Sequence, residues 1–273
     1  MKKYLLNYAT REFIYSQKLL TKSALENGID DCFIYGKDDL IKTDFYRNNL
    51  EILESKRGAG YWLWKPFYIY ESLNKIDDGD ILFYSDSGIK IIKDLNVLAN
   101  LANKKVILLF VDGGLHRNRE YTKRDCFISL GCDNQKYWDS YQLMASFQVY
   151  KKNKESMEFV KEWLEICCSK NNIDDSCLDN KINLDEFKEH RHDQSILSLL
   201  AIKNNIEIFR DPTQWGNRLK LNEFRENGEF IENKLYLEEF VYSNSSYPTL
   251  LNHHRKKINL LNYCLDRYGI KKM

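Results

Sequence analysis

The side chains in this sequence most able to do chemistry are acids placed where apolar runs end. Asp86 follows the apolar run Ile81–Ser85 and precedes Ser87 and Gly88. A carboxylate there can hold Mg2+ or Mn2+, hard cations that take oxygen ligands and bridge phosphates. It also reads as a turn residue capping the next segment. Asp112, followed by Gly113 and Gly114, has the same placement and fits the turn reading better. In Ser55–Pro66, Arg57 and Lys65 bracket Gly58, Gly60, Tyr61, Trp62 and Trp64. Glycine lets a backbone approach a ligand closely, and guanidinium and ammonium groups suit a diphosphate. The aromatics suit stacking on a base or a sugar ring, or else core packing. The spacing matches neither a phosphate-binding Walker loop nor a dinucleotide fingerprint.

Two further clusters lie in the second half. Glu189–Ser195 gathers His190, Arg191, His192, Asp193 and Gln194 at the start of a helical pattern. Asp193 suits a helix cap or first turn, but capping leaves the neighbouring His, Arg and Gln unexplained. In a site reading Asp193 is a base or charge stabiliser and Gln194 a hydrogen-bond partner for a reacting sugar. On that reading Asp193→Ala abolishes activity and leaves folding nearly intact. His253 and His254, beside Arg255, offer a metal ligand and phosphate contacts; the plainer reading is a solvated basic face.

These residues need elements to position them. Lys3–Ala9, Asp31–Gly36, Ile81–Ser85 and Val106–Val111 read as strands. The stretch ending near Gly28, and Lys65–Leu73 opened by Pro66, read as helices. Strand and helix alternate, which predicts an α/β fold with a mostly parallel sheet flanked by helices. Ligands of such sheets bind beyond the carboxyl ends of the strands. The second half reads as more helical, with helices over Ser156–Cys168 and from Asp193 onward, a strand at "IEIFRD", and a polar loop over Asn171–Glu189.

Composition narrows the function. The chain has 273 residues, 43% hydrophobic and 14% aromatic, with 41 Lys and Arg against 40 Asp and Glu. Such a chain can bury a core and is not disordered. The charge balance argues against a nucleic-acid partner. Seven cysteines, an odd count without a Cys-x-x-Cys pair, fit free thiols in a reducing cytoplasm rather than a disulfide framework or zinc site. The basic start has no apolar stretch of signal-peptide length behind it. We expect one domain over 1–252 and a basic amphipathic tail over 253–273. The tail either packs on the domain or lies on an anionic membrane surface.

Taken together, these residues resemble a GT-A-fold glycosyltransferase. "YSDSG" stands where that fold keeps a strand-end acidic motif, Asp193 in "HRHDQS" where a later acid opens a helix, and His253 or His254 where a C-terminal histidine closes the site. "DQSILSLLA" looks like the Asp-Gln helix of the glycogenin and lipooligosaccharide galactosyltransferase group. "RGAGYWLWKPFYIYESL", "DGDILFYSDSG", "TKRDCFISLGCD", "MASFQVYKKN" and "HRHDQSILSLLA" look like a group of bacterial and viral polysaccharide glycosyltransferases, over roughly Tyr4 to His254. The resemblance implies a nucleotide-sugar donor, UDP foremost, and a glycan or lipid-linked glycan acceptor. It implies nucleotide-sugar contacts from Thr10, Arg11, Arg57, Gly58, Tyr61, Lys65, Asp86, Ser87, His192 and Arg255, catalysis at Asp193 and Gln194, and a divalent cation held by Asp86, His253 and His254. One departure stands out: the family's Asp-x-Asp is here Asp86-Ser87-Gly88. Arg57, Lys65 and Arg255 are the alternative means of neutralising a leaving group. Two rival readings remain, a nucleotidyltransferase and a non-catalytic nucleotide- or glycan-binding module. The absence of glycine after strand one, in "NYATREF", counts against the first; Gly88 favours the second.

Overall fold

A sheet covered on both faces requires continuous apolar runs, and two such runs lie near its middle. Every residue of Ile81–Ser85 (β3) and Ile107–Phe110 (β5) is buried. The computed structural model describes residues 1–178, 182–216, 223–226, 229–232 and 242–254. Arg255 and the amphipathic tail expected to follow it lie outside the described residues.

Among the described residues, the main sheet has six strands in the order β2-β1-β3-β6-β5-β7. Its other members are Lys3–Ala9 (β1), Asp31–Gly36 (β2), Phe147–Lys151 (β6) and Ile208–Phe209 (β7). β1 runs parallel to β2 and β3, and β5 parallel to β7, while β6 runs antiparallel to both β3 and β5. Five strands therefore share one direction, and the carboxyl ends of β1, β3 and β5 open on one edge. The α/β expectation is met with β6 as the one reversed strand. Ile89–Ile91 (β4) pairs antiparallel with Leu251–His253 (β10), which sets His253 opposite Ile89. Glu223–Glu226 (β8) and Glu229–Glu232 (β9) form a separate pair.

Helices cover both faces. One core layer joins the helices Trp64–Lys75, Lys154–Cys167 and Asp193–Lys203 to the sheet. The other joins Ile14–Leu25 and Asn96–Lys105. Boundaries follow local chemistry. The helix expected from Ser156 begins at Lys154, because Asn153 is its cap and accepts the Ser156 N–H at 2.9 Å, while the Ser156 hydroxyl bonds back to the Asn153 N–H. The strand expected from Val106 begins one residue later, since Val106 has φ +61° and ends the preceding helix. The six described cysteines are free thiols. Among the described residues, no helix is long and apolar enough to cross a membrane.

Candidate active site

Lys65 sits in the first turn of the Trp64–Lys75 helix and is only 2% exposed. A buried ammonium is tolerable only when paired, and two carboxylates pair it. Its Nζ lies 2.8 Å from Asp193 Oδ2 and 3.6 Å from Asp86 Oδ1. Burial alone would lower the lysine pKa; Asp193 and Asp86 outweigh it and raise it. Asp86 follows β3 and also accepts the hydroxyl of the buried Tyr84. Burial, and then Asp86, hold the Tyr84 pKa well above its ordinary value, so it stays a donor. Asp193 opens its helix, and its backbone carbonyl accepts the indole N–H of the fully buried Trp163 at 3.1 Å. Burial raises the Asp193 pKa to about 6, against the lowering effect of Lys65. Side chains at positions 65, 86 and 193 thus form one charged cluster.

A cleft of about 490 Å³ opens over this cluster, lined by Lys65, Asp86, Asp193, Gln194, Arg57 and His253 among others. A second cavity of about 380 Å³ adjoins it, and Asp86 and Trp62 line both. Thr10, Gly58, Trp64 and Ser87 lie in the smaller cavity. There Tyr8 and Trp64 stack with ring centres 4.0 Å apart and planes at 22°. The segment between the cavities is a left-handed turn: Gly58, Ala59, Gly60, Tyr61 and Trp62 all have φ between +50° and +102°. A β-carbon on Gly58 would lie 2.2 Å from the Trp62 ring, and one on Gly60 2.7 Å from the Leu53 backbone. The turn holds Trp62 stacked on His192, with ring centres 5.5 Å apart.

The remaining expected residues fall in different places. Arg57 lines the large cleft while paired to Glu189 at 3.0 Å and Asp175 at 3.7 Å. His192 is buried with φ +51°, and its Nδ1–H donates to the Ile173 carbonyl at 2.6 Å. Burial lowers its pKa, so it is neutral at pH 7. Tyr61 packs against His192, with ring centres 4.8 Å apart. Arg11 is 91% exposed beside Asp38 and lines neither cavity. The backbone N–H of His254 donates to the Gly88 carbonyl at 2.8 Å, fastening the 251–254 segment to the Asp86 turn.

The metal expectation named Asp86, His253 and His254. Gly88 offers no second carboxylate, and Asp86 Oδ1 is already engaged by Tyr84 and Lys65. Among the described residues, no group of three or more His, Cys, Asp or Glu is arranged to hold a metal. Among the described residues, these side chains do not make a protein-held cation site.

Four residues of the cleft wall escape a reading by motif: His116, Asp211, Trp215 and, in a functional role, Asp112. Asp112 follows β5, and its carboxylate meets His116 Nδ1 at 2.6 Å and Arg191 Nη1 at 2.8 Å. Burial would raise its pKa, but His116 and Arg191 hold it at about 2. Burial, only partly offset by the Thr213 N–H, raises Asp211 to about 7. An aspartate with an imidazole four residues on was the available signal; the double glycine masked it as a turn.

No family model and no curated protein matches the sequence. Solved structures do. The chain is similar to mouse xyloside xylosyltransferase 1 at 10% identity and a TM-score of 0.49, covering 93% of this chain and 98% of that one. It is similar to an active-site mutant of LgtC at 12% identity and a TM-score of 0.49, covering 99% and 97%. It is similar to the glycosyltransferase GlyE of Streptococcus pneumoniae at 12% identity and a TM-score of 0.43, covering 100% of this chain and 61% of that one.

Proposed function

We propose that the protein transfers a sugar from a nucleotide-diphosphate donor, a UDP-sugar foremost, to a glycan acceptor of the capsule, O-antigen or lipooligosaccharide kind. The observation that carries this reading is the pair of adjoining cavities meeting at Asp86 and Trp62, with the Lys65–Asp193 pair at the floor of the larger. The smaller cavity offers aromatic faces, Tyr8 and Trp64, for a base, and the Thr10 and Ser87 segments for a ribose. The larger is rich in acids: Asp86, Asp112, Glu189, Asp193 and Asp211 against Arg57, Lys65 and Arg191. Carboxylates accept hydrogen bonds from sugar hydroxyls, and Trp62 and Trp215 supply flat apolar faces for sugar rings. The diphosphate then lies at the junction, beside Arg57 and above Lys65. A positioned cation there stabilises charge developing on the leaving group. Gln194 faces the transferred sugar, and Asp193 is held as a carboxylate by Lys65 to orient it.

A thermal-shift screen of nucleotide sugars, in Mn2+ and in EDTA, tests the assignment. A ligand that binds only the native state raises the melting temperature. We expect one nucleotide sugar to do so, and Lys65→Met to remove the shift. No shift from any nucleotide sugar in either condition refutes the reading; the EDTA arm reports whether the bound diphosphate requires a cation.

A further inference from the structure

We propose that His116, oriented by Asp112, is the general base that deprotonates the acceptor hydroxyl, an inference that rests on the glycosyl-transfer reading above. The two residues stand four apart in "VDGGLH", and the glycines allow them to meet. A β-carbon on Gly114 would lie 2.2 Å from the His116 ring, and one on Gly113 2.4 Å from the Asp211 carboxylate. Leu115, with φ +52°, completes the reversal. His116 Nδ1 lies 2.6 Å from Asp112 Oδ2, which can only accept, and 3.1 Å from Arg191 Nη1, which can only donate; the shorter contact to the carboxylate assigns the proton to Nδ1. That leaves Nε2 with its lone pair, the tautomer a base needs. Arg191 donates to the same Asp112 oxygen and lies over the Tyr121 ring at 3.9 Å; that ring meets His116 edge-on at 4.7 Å. The imidazole is thus held by three neighbours while its side chain stays 32% exposed on the cleft wall.

Placement supports the role. Asp86 follows β3 and Asp112 follows β5, and β6 lies between those strands. Two strand spacings, about 10 Å, separate the axes of β3 and β5, and Asp86, Asp112 and His116 line the same cleft. In the step, the acceptor O–H bond breaks and its proton passes to His116 Nε2. The acceptor oxygen forms a bond to the anomeric carbon, and the bond from that carbon to the phosphate oxygen breaks, its electron pair leaving on the nucleoside diphosphate. Asp112 stabilises the imidazolium that results. Attack opposite the leaving group inverts the anomeric centre.

Azide separates a base from a structural residue, because it attacks without giving up a proton. The probe is the donor selected by the thermal-shift screen, incubated with water alone or with sodium azide. In His116→Gln, hydrolysis should fall at least about 100-fold while azide attack stays within about threefold of wild type. The glycosyl azide should carry the inverted configuration. Asp112→Asn, a positioning change, should lower hydrolysis by a smaller factor and also spare azide attack. Unchanged hydrolysis in His116→Gln, equal loss of both reactions with donor binding intact, or a retained product overturns the assignment. If no donor shifts the wild-type melting temperature, the transfer reading falls and the base falls with it; if wild type turns over and His116→Gln matches it, only the base falls.

Discussion

Lys65 is an ammonium almost without water, and its two carboxylates are what keep it there. Breaking a buried pair by removing one partner costs about 3–5 kcal/mol, since the other charge is left uncompensated. Lys65→Met should therefore destabilise the fold by that order. Adding Asp193→Asn should return most of the loss without restoring nucleotide binding. The same burial revises the expectation that Asp193→Ala leaves folding intact: that change strands Lys65 beside a single carboxylate 3.6 Å away. The pH dependence has a definite sign. Asp193 titrates near 6 in the fold, above its ordinary value of 3.8. A raised carboxyl contributes stability that is full below the unfolded pKa and is lost as pH rises through the folded one. Without Lys65 the Asp193 pKa rises further, so urea unfolding should show the Lys65→Met deficit small at pH 5 and large at pH 8. A deficit equal at both values would mean the pair is not the source. Asp86, Lys65 and Asp193 were legible in the sequence because each stands at the end of an apolar run or the start of a helix. That Lys65 binds the two acids together was not, since the contacts span separations of 21 and 128 residues (positions 65, 86 and 193).

At the scale of elements, strands and helices with strong apolar patterns were readable and the special backbone was not. β1, β2 and β3 fall where their apolar runs place them. β6 has no continuous apolar run to mark it: "FQVY" is short and carries a buried glutamine, whose side-chain amide donates to the Ala145 carbonyl at 3.1 Å. The left-handed turn over residues 58–62 has a sequence cue only at its two glycines. Tyr61, Trp62 and Ala59 adopt a conformation that costs an L-residue roughly 1–2 kcal/mol each, and strain of this kind collects where a site over-determines the backbone. Gly60→Ala tests its importance. The added carbon meets Leu53 at a φ of +102°, so the variant should lose about 1–3 kcal/mol. Because the turn carries Trp62, donor affinity measured by calorimetry should fall as well. Stability lost with affinity unchanged would place the turn in the scaffold alone.

Across the whole molecule, the cleft is closed by joining distant parts of the chain. β10 pairs with β4 directly after the Asp86 turn, and the 211–216 segment clips β10 from the other side. Gln214 makes that clip with two bonds: its amide N–H donates to the His253 carbonyl, and its amide oxygen accepts the His253 N–H, both at 2.8 Å. His253 lines the cleft, so the clip sets one wall of the site. Gln214→Ala leaves two partly buried backbone groups without those partners, at a cost of about 1–3 kcal/mol. The β4–β10 ladder remains, so the fold should survive while nucleotide-sugar affinity drops several-fold. Asn153→Ala is the matched control: it removes a helix cap, costs about 1 kcal/mol, and acts on an element that lines neither cavity. Calorimetric titration of both variants separates the two effects. Affinity lost only in Gln214→Ala makes β10 part of the donor site. Equal loss in both reports general softening, and no loss in Gln214→Ala removes β10 and His253 from the donor site.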